Sequence, residues 1–219
     1  METNPETRTI VNPEKLLTVR GTERRKQIVA TAIKHIAAEG LEGFRVRSVA
    51  GEIGINNATL HHYFPTKEDL IRAVIEYIIE HFAAVSRQTY SYSHNAAGEN
   101  ALKRHFQMIR RQFVEYPELF LVLNELSLRA HRDTKVAEFI SISNEAWVKF
   151  LTDVFKQSKI KKAELNYQIL AELCMATFKG FSLQLGEKGV FGRLAQKEKV
   201  DLSGLDKMIK TLETFVENY

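Results

Sequence analysis

Residues 51–70 read GEIGINNATLHHYFPTKEDL, with two asparagines and two histidines set close together among apolar residues. Metal ligation, a solvated loop and nucleic-acid contact are all open uses of Asn56, Asn57, His61 and His62. Pro65 disfavours helical backbone in the residue before it, so a short helix over residues 56–64 stops there. With Leu60 at the centre of the buried face and about 100° per residue, Asn56, Tyr63 and Phe64 lie near it and Asn57 at the edge. Ala58, Thr59, His61 and His62 point the other way. That outer face is small or hydrogen-bonding and carries no carboxylate, which suits phosphates and base edges. A metal site is disfavoured, because adjacent His61 and His62 diverge by about 100° on a helix. His81, His94, His105 and His131 likewise lack ligand pairing at i, i+3 or i+4.

The residues upstream supply a mount. Ala50, Gly54 and Leu60 follow one another at the intervals of a helix-turn-helix, with Val49, Ile53, Ile55 and Tyr63 as inward neighbours. A small residue lets two helices cross closely, a glycine takes a positive-φ turn, and apolar residues pin the second helix. A helix so mounted can enter the major groove of DNA, where each base pair shows its own donor and acceptor pattern.

The rest of the chain is helical by periodicity. Ile28/Val29, Ala32/Ile33 and Ile36/Ala37 recur every four residues, with Gly40 as a left-handed stop. Val46, Val49, Ala50 and Ile53 make a second helix, and Thr66 with Asp69 caps a long fourth one. Beyond a polar break at residues 91–100, SYSHNAAGEN, five further helical segments follow, one of them starting on Pro117. The expectation is an all-α fold of about nine helices. Residues 1–18 read as a flexible arm, 19–66 as a helix-turn-helix domain and 67–219 as a second helical domain.

Composition agrees with this class. Of 219 residues 44% are apolar, 26% are charged and only four are proline. The net charge is +4. Residues 20–67 alone carry eight Lys/Arg against four Glu, so the excess sits where a polyanion would be met. Cys174 is the single cysteine and reads as a buried small hydrophobe. No signal-peptide core or membrane span is apparent, so a cytoplasmic location is expected. No Gly-rich phosphate loop, metal spacing or activated nucleophile suggests an enzyme, and no cofactor is implied.

The run from Glu23 to Glu76, ERRKQIVATAIKHIAAEGLEGFRVRSVAGEIGINNATLHHYFPTKEDLIRAVIE, resembles the N-terminal domain of the TetR family of transcriptional regulators. Gly54 to Leu70 carries the family's glycine, two polar residues, small residue, Thr-Leu-aromatic-x-Tyr-Phe and Lys-Glu-x-Leu. The resemblance implies a homodimer that reads a palindromic double-stranded DNA operator and is released by a small-molecule effector. The alternative is a ligand-independent activator or DNA-organising protein. On the family's pattern Arg47 faces DNA, and Thr59 and Lys67 contact phosphate. Asn56 either caps the third helix or touches DNA. Asn57 can offer adenine a bidentate contact, with Ala58, His61 and His62 beside it. Asn56-Asn57 stands where the family often has Ser-Lys, and Arg45 where a Ser or Thr usually caps the second helix.

The downstream helices are similar in number and order to the family's ligand-binding and dimerisation domain. Eleven of thirteen phenylalanines lie beyond residue 66. Phe106, Phe113, Phe120, Leu123, Asn124, Trp147, Phe150 and Phe178 are candidate lining for an apolar or aromatic effector, with plain core packing as the alternative for each. Glu125, Ser127, Asn144, Glu145 and Glu172 are further polar residues among these helices and candidates to orient a ligand. Leu165, Ile169, Leu173, Ala176 and Gly180 make one stripe. Leu205, Ile209 and Leu212 belong to a second, and together the two are candidates for a four-helix dimer interface.

Overall fold

A computed structural model describes residues 13–91, 101–157 and 166–218. Among these residues there are ten helices and no strand. They are α1 (Pro13–Gly43), α2 (Val46–Glu52), α3 (Asn57–Tyr63), α4 (Lys67–Ser91), α5 (Ala101–Glu115), α6 (Pro117–Ala130), α7 (Thr134–Gln157), α8 (Tyr167–Glu187), α9 (Val190–Ala195) and α10 (Ser203–Asn218). None is long and apolar enough to cross a membrane.

Two expectations are corrected here. Residues 13–18 are helical rather than part of an arm, while residues 1–12 lie outside the described residues. Pro13 suits a first helical position because its fixed φ is pre-organised and its missing N–H has no partner to lose. Glu14, Lys15, Leu16 and Leu17 then continue as good helix formers. The tenth helix is α9, which follows Gly189 at φ 66° and is anchored by the fully buried Phe191. Six residues interrupted by Gly192 are too few for periodicity to reveal. The expected polar break, beyond Ser91, lies outside the described residues.

The head is built on the repeating pairs of α1. Ile28, Ala32 and Ile36 are fully buried and meet Val49 and Ala50 of α2, Leu60 of α3 and Leu70, Val74 and Ile78 of α4. The same core includes Leu119, Val122 and Leu126 of α6. At Gly40 the backbone leaves the helix with φ 69° and ψ 170°. The freed amide of Leu41 donates to Glu125 Oε2 of α6 at 3.2 Å. A Cβ on Gly40 would only touch that carboxylate, at 3.4 Å, so it is the positive φ that calls for glycine.

The body has a second core. Phe106 and Phe113 of α5, Phe120 of α6, Leu151 and Phe155 of α7 and Phe178 of α8 gather there with Phe191. Cys174 is buried among them, and burial pushes its thiol up to about 12. That is the behaviour of a small hydrophobe rather than a nucleophile.

The turn after α2 satisfies its backbone in two steps. Ile55 N–H donates to Ala50 O at 3.0 Å and Gly54 N–H to Gly51 O at 3.3 Å, a Schellman pair closed by Gly54 at φ 68°. Nothing lies within 4 Å of a Cβ added at Gly54. Gly54→Ala is therefore expected to cost only its backbone strain, about 1–2 kcal/mol, read as a lower urea midpoint without a change in slope.

Candidate functional site

The short helix α3 is set by its two ends. Asn56, in extended conformation, caps it by accepting the Thr59 N–H on Oδ1 at 2.7 Å. Phe64 leaves the helix in extended conformation just ahead of Pro65. Leu60 is its one buried residue, so the helix hangs on a single apolar anchor with Tyr63 half-buried beside it. Asn57, Ala58, Thr59, His61 and His62 are all exposed, as is Arg47 on α2. The outward face expected from the 100° step is thus present in full.

Several of these side chains are already oriented. His61 Nδ1 lies 3.1 Å from the Pro65 carbonyl, which can only accept, so that nitrogen carries hydrogen and Nε2 is left for another partner. His62 sets its ring edge-on to Tyr63 at 5.8 Å. Arg25 lies over the Phe64 ring at 4.9 Å. Arg45 makes no side-chain cap to α2 and instead donates to Glu42 O at 2.6 Å. Asn56 acts as a cap, so its Oδ1 is committed to the helix and only its amide nitrogen remains available.

Lys67 is more engaged than an exposed phosphate contact would be. Its ammonium donates to Phe44 O at 2.8 Å and to Leu41 O at 3.1 Å, and it sits over the Phe44 ring. Partial burial, then the nearby Arg45 and Arg129, lowers its pKa. Two of three donors thus tie the start of α4 to the end of α1. Thr66 and Asp69 complete that start. Thr66 N–H donates to Asp69 Oδ2 at 3.1 Å, and Asp69 N–H to Thr66 Oγ1 at 3.0 Å. The hydroxyl of Thr66 holds the Asp69 carboxyl below its ordinary range.

In the body, Phe106, Phe113, Phe120 and Phe178 are buried in one cluster, with Leu123, Trp147 and Phe150 half-buried. Phe113, Phe120 and Phe191 pack ring on ring, with Phe113 and Phe120 centroids 4.2 Å apart. Asn124 accepts from Ser182 Oγ at 3.2 Å, and Lys179 donates to Asn144 Oδ1 at 2.7 Å. Glu125 belongs to the head contact described above. Glu145 and Glu172 are exposed and accept from Ser141 and Gln168 on their own helices.

Two buried polar residues escaped the sequence reading. His105 is fully buried and neither ring nitrogen has a hydrogen-bond partner. Gln112, also fully buried, takes His81 Nε2 on Oε1 at 2.8 Å, which leaves its Nε2 without one. The available signal was their spacing. His105, Met108 and Gln112 widen the stripe Phe106, Ile109 and Phe113, so α5 buries a broader arc than its apolar residues alone account for.

The stripes proposed for dimerisation divide. On α8, Ile169 and Leu173 are 54% and 53% exposed, and Ala176, Gly180 and Leu183 continue the exposed line. On α10, Leu205 and Ile209 are 1% and 6% exposed and belong to the subunit's own core. Those two are corrected to intrachain packing, and Leu212 is half-buried against the same core. Their helix carries more apolar residues than one face holds, and the inner set is taken by the body. Leu165 lies outside the described residues.

The family model described as bacterial regulatory proteins of the tetR family matches residues 28–74, which span α2, α3 and the facing parts of α1 and α4. The head of this chain is thus similar to the DNA-binding domain of that family. The regulator CymR of Pseudomonas putida is 27% identical over 55% of this chain and 58% of its own length. The nucleoid occlusion factor SlmA of Haemophilus influenzae is 31% identical over 53% of this chain and 55% of its own. The chain thus spans about half the length of these curated TetR-type relatives. A solved regulator from Saccharomonospora viridis, in complex with choline, shares the fold along nearly the whole chain. It has a TM-score of 0.68 and 19% identity, over 90% of this chain and 96% of that one.

Burial pulls the His105 pKa down to about 3. The folded protein therefore keeps this ring neutral while the unfolded chain protonates it near 6.5. Stability present above that pH is lost as pH falls toward about 3, at about 1.4 kcal/mol per pH unit. Between about pH 6 and 4.5, urea midpoints of the wild type should fall more steeply than those of His105→Phe.

Proposed function

We propose that this protein is a transcriptional regulator that binds a two-fold-symmetric DNA operator as a homodimer and leaves it when a small molecule enters the body. The observation that carries the reading is the outer face of α3. Five consecutive-turn residues stand exposed without a carboxylate, on a helix whose entry, cap and exit are all fixed. Such a helix arrives at the groove already ordered and gives up little conformational entropy there.

Within this reading Asn57 and His61 Nε2 address base edges, and Arg47, Thr59 and the third donor of Lys67 address phosphates. Asn56 serves the cap first. Two copies joined through the exposed line on α8 place two α3 helices on one side of the duplex, as a palindrome requires. Effector binding in the body acts by population shift, favouring dimers whose half-site spacing no longer fits. A few kcal/mol of differential affinity suffices.

The likeness to a nucleoid occlusion factor favours a second reading, a DNA-organising protein with a filled body. The unmet polar atoms of His105 and Gln112 speak for an effector instead, since a filled core leaves few such groups unpaired.

Selection from a random duplex pool at physiological salt is expected to enrich a palindrome. On that site Asn57→Ala relaxes preference at particular positions. Arg47→Ala weakens all sequences alike and makes the salt dependence shallower by about one counterion. A folded dimer that enriches nothing would move the reading to the DNA-organising class.

Leu173→Glu places a charge in the middle of the α8 line. It should leave the melting temperature of the subunit nearly unchanged while converting dimers to monomers in sedimentation experiments. Persistence of the dimer would move the interface elsewhere.

A further inference from the structure

His105 and Gln112 are seven residues apart on α5, so they share a face and stand about 10.5 Å apart along the helix. Between them Met108 Sδ receives the Ser86 hydroxyl of α4 at 3.9 Å. His81 of α4 holds the Gln112 end, and the Phe150 ring of α7 lies 5.8 Å from the His105 ring. The Gln112 end of this face thus packs against α4 and the His105 end against α7, and each end carries a buried polar atom without a partner.

Their chemistry is specific. A neutral imidazole offers one donor and one acceptor, and the Gln112 amide nitrogen offers two donors. Neither group carries charge. Lys179, the half-buried ammonium of α8, is already taken by Asn144. An ionised ligand would lose its hydration against Phe82, Phe106 and Phe150 without a counter-charge from either residue.

We propose that the body binds an uncharged, largely aromatic molecule spanning about two turns of α5, with a hydroxyl at the His105 end and a carbonyl-type acceptor at the Gln112 end. This inference rests on the reading of the body as the effector domain, and it replaces a purely apolar effector by one with two polar ends. The hydroxyl donates to the bare ring nitrogen or accepts from the protonated one. The carbonyl accepts from Gln112 Nε2 while His81 keeps Oε1.

Calorimetric titration of the full chain, without DNA, tests it with three probes. They are 4-acetyl-4′-hydroxybiphenyl, 4-acetylbiphenyl and 4′-hydroxybiphenyl-4-carboxylate. The wild type should bind the hydroxy ketone at least about ten-fold tighter than either other probe, in line with a site that hydrogen-bonds its ligand. His105→Phe should bring the hydroxy ketone down to the level of 4-acetylbiphenyl. Gln112→Glu keeps an acceptor for His81 and removes the donors, so both ketones should weaken about ten-fold.

Equal or tighter binding of the carboxylate, no heat from any probe, or unchanged ranking in both folded variants would overturn the proposal. The wild-type ranking decides even if a variant does not fold. Since no DNA is present, failure of the regulatory reading is separate. A bound hydroxy ketone that leaves an operator complex intact would sink effector release and spare the site. Release by another molecule, with no heat from these probes, would sink the site's assigned chemistry alone.

Discussion

Leu119, Val122 and Leu126 project from α6 into the core of the head, while Phe120 of the same helix closes the core of the body. Burying each of those head-facing side chains contributes about 1.5–3 kcal/mol, so together they outweigh the Glu125 bond to the Leu41 amide. The apolar contact holds head and body together, and the carboxylate sets where along α1 they meet. That division explains why α1 breaks at Gly40 rather than continuing. An unbroken helix would keep the Leu41 amide for itself and leave the Glu125 carboxylate without that donor.

The reading face is ordered by local chemistry of modest strength. The Schellman closure at Gly54, the Asn56 cap and the Thr66–Asp69 box each satisfy backbone groups that short helices otherwise leave to water. A seven-residue helix is far too short to persist alone. It persists because both ends are closed and Leu60 is fully buried. By contrast, exposed ion pairs such as Lys26–Glu23 contribute about 1 kcal/mol at most and decide nothing about the fold.

Much of this was legible beforehand because it depends on near neighbours in the chain. Ala50, Gly54 and Leu60 have one job each, and their spacing states it. The 100° step around Leu60 found the exposed face, and Thr66 with Asp69 announced the cap of α4. What stayed hidden depends on distant parts of the chain. Lys67 looks free until the carbonyls of Leu41 and Phe44, more than twenty residues upstream, arrive beside it. Leu205 and Ile209 look like an interface until α5 and α8 cover them. His105 and Gln112 read as polar, and polar residues are presumed wet until a fold buries them. Glu125, read as a pocket residue, turns out to face α1.

The length of α4 has a mechanical consequence. Its 25 residues make a rod of about 37 Å, fixed to the head at one end by the Lys67 bonds to Leu41 and Phe44. Farther along, His81 rests on a glutamine that has another hand free. His81 lies about 21 Å from Lys67, so a sideways push of about 1 Å there tilts the rod by roughly 3°. Leu70, Val74 and Ile78 seat the head end of that rod in the head's own core, so such a tilt would be delivered there. Under the proposed effector mechanism, the swing of one amide inside the body would reach the head as a rotation of that size.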